Sequence, residues 1–214
     1  MPSLLYNKVK ETLGANLLEV RLPMEDLEKF NRHIVHKIDS FDKIWSKVDE
    51  SVADEKKILI VVNKVKTAQT IFEQIRERYP EIDSLLLHSR FKRSDRNKKE
   101  KELLGTDSYG ASLNKYNTSA EACIVVSTQV VEVSLDISFD VMFTETAPLD
   151  SLIQRFGRIN RKRTDNTIGI YKDVYVVAPP DNETDAKPYD INTLEKSYNA
   201  ISDGELLREC DMQG

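Results

Sequence analysis

Residues 123–163 carry the stretch CIVVSTQVVEVSLDISFDVMFTETAPLDSLIQRFGRINRKR. It opens with two short apolar runs, CIVVST from Cys123 and DVMFTE from Asp140, and closes with a segment of helical periodicity. Near-continuous apolarity, without polar alternation, is typical of strands that are covered on both faces of a parallel sheet. The stretch therefore predicts two buried strands and a helix that packs beside them.

Three apolar runs outside this stretch have the same character: ILIVVN from Ile58, LLLH from Leu85 and VYVVAP from Val174. Helical patterns lie between them, at residues 65–79 and 94–104. Alternation of strand and helix indicates parallel strands joined by right-handed crossovers. The sequence therefore predicts an α/β fold with a mostly parallel sheet and helices on both faces.

Composition divides the chain into three parts. We interpret residues 1–50 as a connector, residues 51–180 as the α/β domain and residues 181–214 as a C-terminal helical extension. The polar stretch 105–120 inside the domain predicts a mobile surface loop.

The two ends of the chain carry weaker signals. In the connector, a helix is expected from about residue 3 to Gly14, followed by strand-like runs at 17–22 and 33–38. In the extension, apolar spacing predicts a closing helix over about 193–210.

Composition also limits the class of protein. The chain has 214 residues, enough for one domain with a sizeable core, and no window holds the roughly eighteen consecutive apolar residues of a membrane helix. Its N-terminus alternates charged and apolar residues, unlike a signal peptide. Cys123 and Cys210 are too few and too far apart for a disulfide framework or a zinc cluster. We therefore expect a soluble, cytoplasmic protein with reduced thiols.

Charge is unevenly distributed along the chain. The formal net charge is −5, which argues mildly against nucleic-acid binding. Locally, residues 88–101 carry seven Lys and Arg residues against two acids, and residues 154–163 carry five basic residues and no acid. Such runs are most often solvated faces, and contact with nucleic acid is the alternative interpretation.

The segment 149–161 carries the clearest chemical signal. On a helix, Gln154, Arg158 and Arg161 would share one face, at i, i+4 and i+7. The apolar residues would share the other: Leu149, Leu152, Ile153, Phe156 and Ile159. Two guanidinium groups on one face suit a terminal phosphate, because each fork donates two parallel hydrogen bonds, and Gly157 would permit close approach. A solvated amphipathic helix is the alternative interpretation.

The pattern Gln154-Arg155-x-Gly157-Arg158-x-x-Arg161 resembles motif VI of superfamily-two helicases. The preceding stretch VSTQVVEVSLDISFDVMFTETAP resembles their motif V, and ILIVVNKVKTAQTIFEQI resembles motif IV. Together with LLLHSRF, these stretches are most similar to the helicase-nucleases of type I CRISPR systems, over about 58–163. The resemblance implies a RecA-like C-terminal motor lobe that acts with a separate P-loop lobe.

The resemblance also implies roles for individual residues. Arg158 and Arg161 would be arginine fingers that reach the γ-phosphate of ATP, and Gln154 would touch the same phosphate. Asp136 would bind the ribose hydroxyls, or else cap a turn, and Gly157 would lie beside the nucleotide. The remaining residues lie at predicted carboxyl ends of strands and would contact the nucleic-acid backbone: Asn63, Lys64, His88, Ser89, Arg90, Thr128 and Gln129.

The sequence lacks the patterns of a complete ATPase. A P-loop requires G-x-x-x-x-G-K-[ST], and the nearest match, Gly105 to Gly110, is followed by Ala111. Asp54 and Glu55 precede a strand, so they do not form an acidic Mg²⁺-binding motif. We therefore expect ATP to bind at the interface with the other lobe, which would supply Mg²⁺, and this chain alone to be inactive.

Metal-dependent chemistry within the chain is not indicated either. His33 and His36 would point to opposite faces of a strand, and no His, Cys or carboxylate cluster lies beside them in the sequence. The nuclease domain that the helicase-nuclease family carries has no counterpart here. Residues 1–2, Met-Pro, resemble the residues that follow motif III, so the connector would join the chain to the first lobe, whether encoded together or separately.

The resemblance implies single-stranded DNA, a P-loop helicase lobe, an HD-type nuclease and a CRISPR effector complex as partners, and no membrane. Two other functions stay open. The chain could be the same lobe of another superfamily-two DNA or RNA helicase, since nothing in it is recognisable as a reader of the 2′-hydroxyl. It could also be a non-catalytic nucleic-acid-binding module of the same fold, because a fold alone does not determine function.

Overall fold

Seven strands form one sheet in the order β3-β4-β2-β5-β6-β1-β7. The structure is a computed structural model that describes residues 3–14, 23–107, 109–132 and 135–208. The strands are β1 His33–Ile38, β2 Lys57–Val61, β3 Asp83–Leu87, β4 Cys123–Ser127, β5 Val141–Glu145, β6 Lys172–Val177 and β7 Glu205–Leu206. All neighbouring pairs are parallel except β1 and β7, which are antiparallel. The predicted α/β fold with a mostly parallel sheet is confirmed.

Helices cover both faces of this sheet. They are α1 Ser3–Leu13, α2 Met24–Glu28, α3 Ile44–Ala53, α4 Val65–Arg78, α5 Arg93–Leu104, α6 Leu149–Phe156, α7 Glu183–Ala186 and α8 Ile191–Asn199. In β2, Ile58 and Ile60 face the core shared with α3 and α4, whereas Leu59 and Val61 face the core shared with α5, α6 and α8. Both sides of the strand are buried, as its uninterrupted apolar sequence predicts.

Two features of the chain ends differ from expectation. β1 pairs with β6 along its whole length, and Ile44 and Val48 of α3 are fully buried, so the predicted connector contributes a strand and a helix to the same sheet and core. The closing helix is shorter than predicted, because α8 ends at Asn199 and the chain turns at Gly204, with φ 70°, into β7. The strand-like run 17–22 lies outside the described residues.

The polar stretch 105–120 is tied to the core, although a mobile surface loop was predicted. Tyr116 is buried, and its hydroxyl donates to the Ser84 carbonyl at 3.1 Å. Within the described ranges, no helix is long and apolar enough to cross a membrane. The same ranges hold no group of three or more His, Cys, Asp or Glu residues placed to bind a metal.

Candidate functional site

Helix α6 connects the side of the sheet where the parallel strands end to the side where they begin. It begins four residues after the carboxyl end of β5, and at its other end Ile159 forms a parallel bridge to Phe139, just before β5 begins. An eight-residue helix is about 12 Å long, so α6 runs back along β5 from the carboxyl end of that strand to its amino end. Buried Leu152 and Phe156 hold it against the sheet.

The predicted helix faces are wrong in two respects. Leu149 and Ile153 are 37% and 36% exposed, because the stripe that faces the core includes Arg155 beside Leu152 and Phe156. The helix ends at Phe156 and Asn160 has φ 51°, so Arg158 and Arg161 do not continue the helical face of Gln154.

Arg155 is fully buried and connects several elements. Its Nε donates to Glu132 Oε1 at 2.9 Å, and Nη2 donates to Asn63 Oδ1 at 3.0 Å. Its Nη1 donates to Thr144 Oγ1 at 2.9 Å and to the Glu145 carbonyl at 3.1 Å. A buried guanidinium is stabilised only when its donors are satisfied and its charge is paired, and both conditions are met here. The sequence interpretation assigned no role to this residue.

Arg158 is also buried, with 7% of its surface exposed. Its guanidinium donates to the carbonyl oxygens of Val131, Glu132 and Leu135, at 2.5–2.8 Å. Burial lowers the pKa of this guanidinium from its ordinary value, and the neighbouring charge of Arg161 adds to the effect. In the described structure Arg158 therefore holds the segment that follows β4, while its predicted role as an arginine finger stays a prediction.

Arg161 and Asp136 form an exposed ion pair. Arg161 Nε lies 3.0 Å from Asp136 Oδ1, and the two side chains are 43% and 67% exposed. Ser138 Oγ accepts from the Arg161 backbone N–H at 3.0 Å and so fixes the turn that presents it. Two residues predicted to contact nucleotide thus lie together at the surface.

Gln154 and Gly157 lie at the last turn of α6. The Gln154 side chain is exposed. A Cβ added at Gly157 would meet only the carbonyl oxygens of Ile153 and Gln154, at 3.5 and 3.3 Å, within the part of the chain that the structure describes. No other backbone segment of the described residues approaches Gly157, and the close approach of a phosphate stays a prediction.

His33 supports this region from β1. Its Nε2 lies 3.0 Å from the Ile159 carbonyl oxygen, and burial lowers its pKa to about 4. Since the ring is neutral at physiological pH, Nε2 can donate a hydrogen bond to that carbonyl as one of its two tautomers. The sequence interpretation placed His33 in the connector, far from the site.

At the carboxyl ends of the parallel strands, the structure brings together several residues predicted to contact nucleic acid. The Asn63 amide nitrogen donates to the Thr146 carbonyl at 2.9 Å, and Gln129 Nε2 donates to the Asn63 carbonyl at 3.0 Å. Lys64 Nζ donates to the Thr184 carbonyl at 3.0 Å. The ends of β2, β4 and β5 are therefore linked by side chains rather than left independent.

Thr128 and His88 follow β4 and β3, which are neighbours in the sheet. Both side chains are buried, and neither Thr128 Oγ1 nor His88 Nδ1 has a hydrogen-bond partner among the described residues. An unsatisfied buried polar group costs about 1–3 kcal/mol, so a bound ligand that supplied a partner would be favoured. The His88 ring stacks on Phe91 at 4.0 Å, while Ser89 and Arg90 are exposed.

The structure thus separates the predicted residues into two groups. Arg158, Arg161 and Asp136 lie beyond the end of α6, near the amino end of β5. The nucleic-acid set lies at the carboxyl ends of β2, β3 and β4. A mostly parallel sheet with helices on both faces, carrying this arginine-rich segment after its fifth strand, defines the second RecA-like lobe of a superfamily-two helicase.

Residues 54–164 match the family model described as CRISPR-associated nuclease/helicase Cas3, C-terminal. The chain therefore belongs to the Cas3-like C-terminal family. It is 34% identical over 164 residues to the putative CRISPR-associated nuclease/helicase Cas3 of Methanocaldococcus jannaschii, covering 75% of this chain and 21% of that protein. It is 33% identical over 168 residues to the Cas3 of Methanothermobacter thermautotrophicus, covering 78% of this chain and 18% of that protein.

The fold is similar to that of solved Cas3 structures. The crystal structure of T. fusca Cas3-ATP superposes with a TM-score of 0.71 at 22% identity, covering 92% of this chain and 24% of that one. At this identity the likeness concerns the fold alone. The chain spans about a fifth of the length of the relatives it matches.

Proposed function

We propose that this chain is the second motor lobe of an ATP-dependent single-stranded DNA translocase or helicase in a type I CRISPR interference system. The observation that carries the proposal is the exposed Arg161–Asp136 pair. It lies near the amino end of β5, whereas the polar residues predicted to contact nucleic acid lie at the carboxyl ends of the strands. A motor lobe must bind nucleotide and nucleic acid at the same time, and sites at opposite ends of the strands allow this. The family membership supports the CRISPR context.

Toward ATP, we assign the direct phosphate contact to Arg161, with Gln154 beside it and Asp136 toward the ribose. An exposed ion pair is worth about 0–1 kcal/mol, so Arg161 can exchange Asp136 for phosphate oxygens at little cost. Arg158 would first have to leave three carbonyl partners, so we place it second. ATP would supply the hydrolysable phosphate, while this chain's residues would orient it; Mg²⁺ would be held by the other lobe.

Toward nucleic acid, we propose that backbone phosphates lie along the carboxyl ends of β2, β4 and β3. Lys64, Gln129 and Arg90 offer one polar side chain at each strand end. Thr128 Oγ1 has no partner among the described residues but is buried, so a phosphate oxygen could accept from it only if the segment after β4 moved. Such contacts read no bases, so little sequence preference is expected.

The wider assembly is also a proposal. Residues 1–50 would join the lobe to the P-loop lobe, and an HD-type nuclease and the CRISPR effector complex would act on the same DNA. The lobe of another superfamily-two DNA or RNA helicase, or a binding module without catalysis, is the alternative. The set Gln154, Arg158 and Arg161 argues against the binding module, because such a module has no use for γ-phosphate contacts.

The purified 214-residue chain should not hydrolyse ATP, because its sequence contains neither a P-loop nor the acidic Mg²⁺ motif. DNA-stimulated turnover should appear only when a P-loop lobe of the same system is added or fused. Steady-state phosphate release, with and without single-stranded DNA, checks both statements. Turnover by the chain alone that Arg161→Ala abolishes would overturn the two-lobe proposal.

The same chain should bind single-stranded DNA weakly and with a strong salt dependence. Each phosphate contact releases counterions and contributes about −0.7 to the slope of log affinity against log salt. Fluorescence anisotropy with labelled oligothymidylate and a mixed-sequence strand, titrated over a range of salt, measures this slope. Affinity that is independent of salt would show that phosphate contacts are not responsible.

A further inference from the structure

Helix α5 carries a concentration of positive charge that the proposed site does not use. Residues 90–101 hold seven Lys and Arg residues against two acids, a local charge of +5 in a chain whose net charge is −5. Only Leu103 of the helix is buried, so core packing does not account for its composition. Lys92, Arg93 and Lys98 are exposed.

The position of α5 gives this charge a direction. The proposed contacts follow the order β2, β4, β3, and β3 is the outermost strand of the sheet. Since neighbouring strands are about 4.8 Å apart, this row is about 10 Å long. α5 begins six residues after β3, so its first two turns adjoin the outer end of that row.

An aromatic stack fixes the helix to the strand end. Lys99 Nζ lies 4.9 Å from the centre of the Phe91 ring, which stacks on His88 at 4.0 Å. Burial lowers the pKa of His88, and the nearby charges of Lys99 and Arg90 lower it further. Lys99 therefore lies beside the aromatic pair at the carboxyl end of β3.

Among the carboxyl ends of the strands, those farthest from α5 are surrounded by negative charge. A cavity of about 430 Å³ opens at the carboxyl ends of β1, β2, β5 and β6. Its lining includes four acids and one lysine: Asp39, Glu145, Asp181, Asp185 and Lys64. Lys64 is itself drawn toward this side, since its Nζ lies 3.4 Å from Asp185 Oδ1. A phosphate backbone would be repelled beyond Lys64 at this end and attracted toward α5.

We infer, on the basis of the proposed function, that Arg90 and the first two turns of α5 form a phosphate-binding face that extends the single-strand track past β3. Arg96 and Lys99, three residues apart, share one side of the helix, and Lys92 precedes them as its N-cap residue. They span about 10 Å, which roughly doubles the length of the row on the strand ends. Single-stranded DNA would cross the strand ends from β2 and leave the lobe along α5.

The test compares two triple substitutions in the full 214-residue chain. Lys92→Gln, Arg96→Gln and Lys99→Gln remove the three charges of this face. The control, Lys47→Gln, Arg76→Gln and Lys196→Gln, removes the same residue types from exposed or half-buried positions on other helices. Anisotropy with labelled oligothymidylate, and with a labelled DNA duplex, is titrated with salt for each. A third variant, Lys92→Arg with Arg96→Lys and Lys99→Arg, keeps the charge.

Loss of three contacts should reduce the magnitude of the salt slope by about two, since each contributes about 0.7. The control and the charge-keeping variant should retain the slope of the unaltered chain. Equal slopes in the two charge-removing variants would overturn the α5 inference and leave the proposed function intact. A loss confined to duplex DNA would overturn the assignment to the single strand. Absence of single-strand binding by the unaltered chain would overturn the proposed function together with the inference.

Discussion

Arg161→Lys, in a protein that combines this lobe with its P-loop lobe, should reduce ATP turnover by on the order of 10³-fold while single-strand binding is nearly unchanged. Such a loss corresponds to about 4 kcal/mol of transition-state stabilisation. Lysine keeps the positive charge but lacks the planar fork that donates two parallel hydrogen bonds to a phosphate. A purely electrostatic role would survive the exchange, whereas a bidentate contact would not.

DNA binding should be unchanged because the predicted nucleotide and nucleic-acid sites lie at opposite ends of the strands. Arg161 lies beyond α6, near the amino end of β5. The residues predicted to contact nucleic acid lie at the carboxyl ends of the strands. Steady-state ATPase at saturating single-stranded DNA, with a binding isotherm for the same DNA, measures both quantities. Lys162→Arg is the matched control, because Lys162 also approaches Asp136, at 4.0 Å, and it should change turnover little. Proportional loss of turnover and DNA binding in Arg161→Lys would remove the assignment to γ-phosphate.

Arg155→Ala should destabilise the chain by about 3–5 kcal/mol, the usual cost of removing one partner of a buried ion pair. Glu132 would keep its carboxylate, only 10% exposed, without the guanidinium that pairs with it. Asn63 Oδ1 and Thr144 Oγ1 would each lose a donor as well. Arg76→Ala, on the exposed side of α4, is the matched control and should cost less than about 0.5 kcal/mol.

Urea denaturation followed by the fluorescence of the single tryptophan, Trp45, measures both values. Glu132→Gln combined with Arg155→Ala should recover part of the loss, because the amide leaves no unpaired charge in the interior. Equal stability of Arg155→Ala and the unaltered chain would mean that Arg155 does not hold the strand ends together.

The sheet could be predicted from the sequence because its strands are buried on both faces. The runs that start at Ile58 and Cys123 are uninterrupted by polar residues, and both became central strands. β7 could not be found, since two residues have no periodicity and are placed only by pairing with β1. The end of the last long helix was missed for the same reason, because the turn at Gly204 depends on that pairing.

The candidate site was predicted less completely than the sheet. Periodicity treats an arginine as a residue for the outer face, so Arg155 was overlooked, although it stands three residues after Leu152 and one before Phe156 on the buried stripe. Its acceptors come from three other parts of the chain and are invisible to local spacing. The carbonyl partners of Arg158 lie 23 to 27 residues earlier and were equally hidden.

Because α6 is anchored at both ends, the number of residues in it is fixed. Arg155 holds its second half to Asn63 and Glu132, and the bridge between Ile159 and Phe139 holds the chain beyond it. One inserted residue would rotate everything after it by about 100° and advance it by about 1.5 Å, carrying the buried guanidinium away from its acceptors. Exposed positions such as Ile153 can therefore change identity freely. The segment as a whole cannot change length.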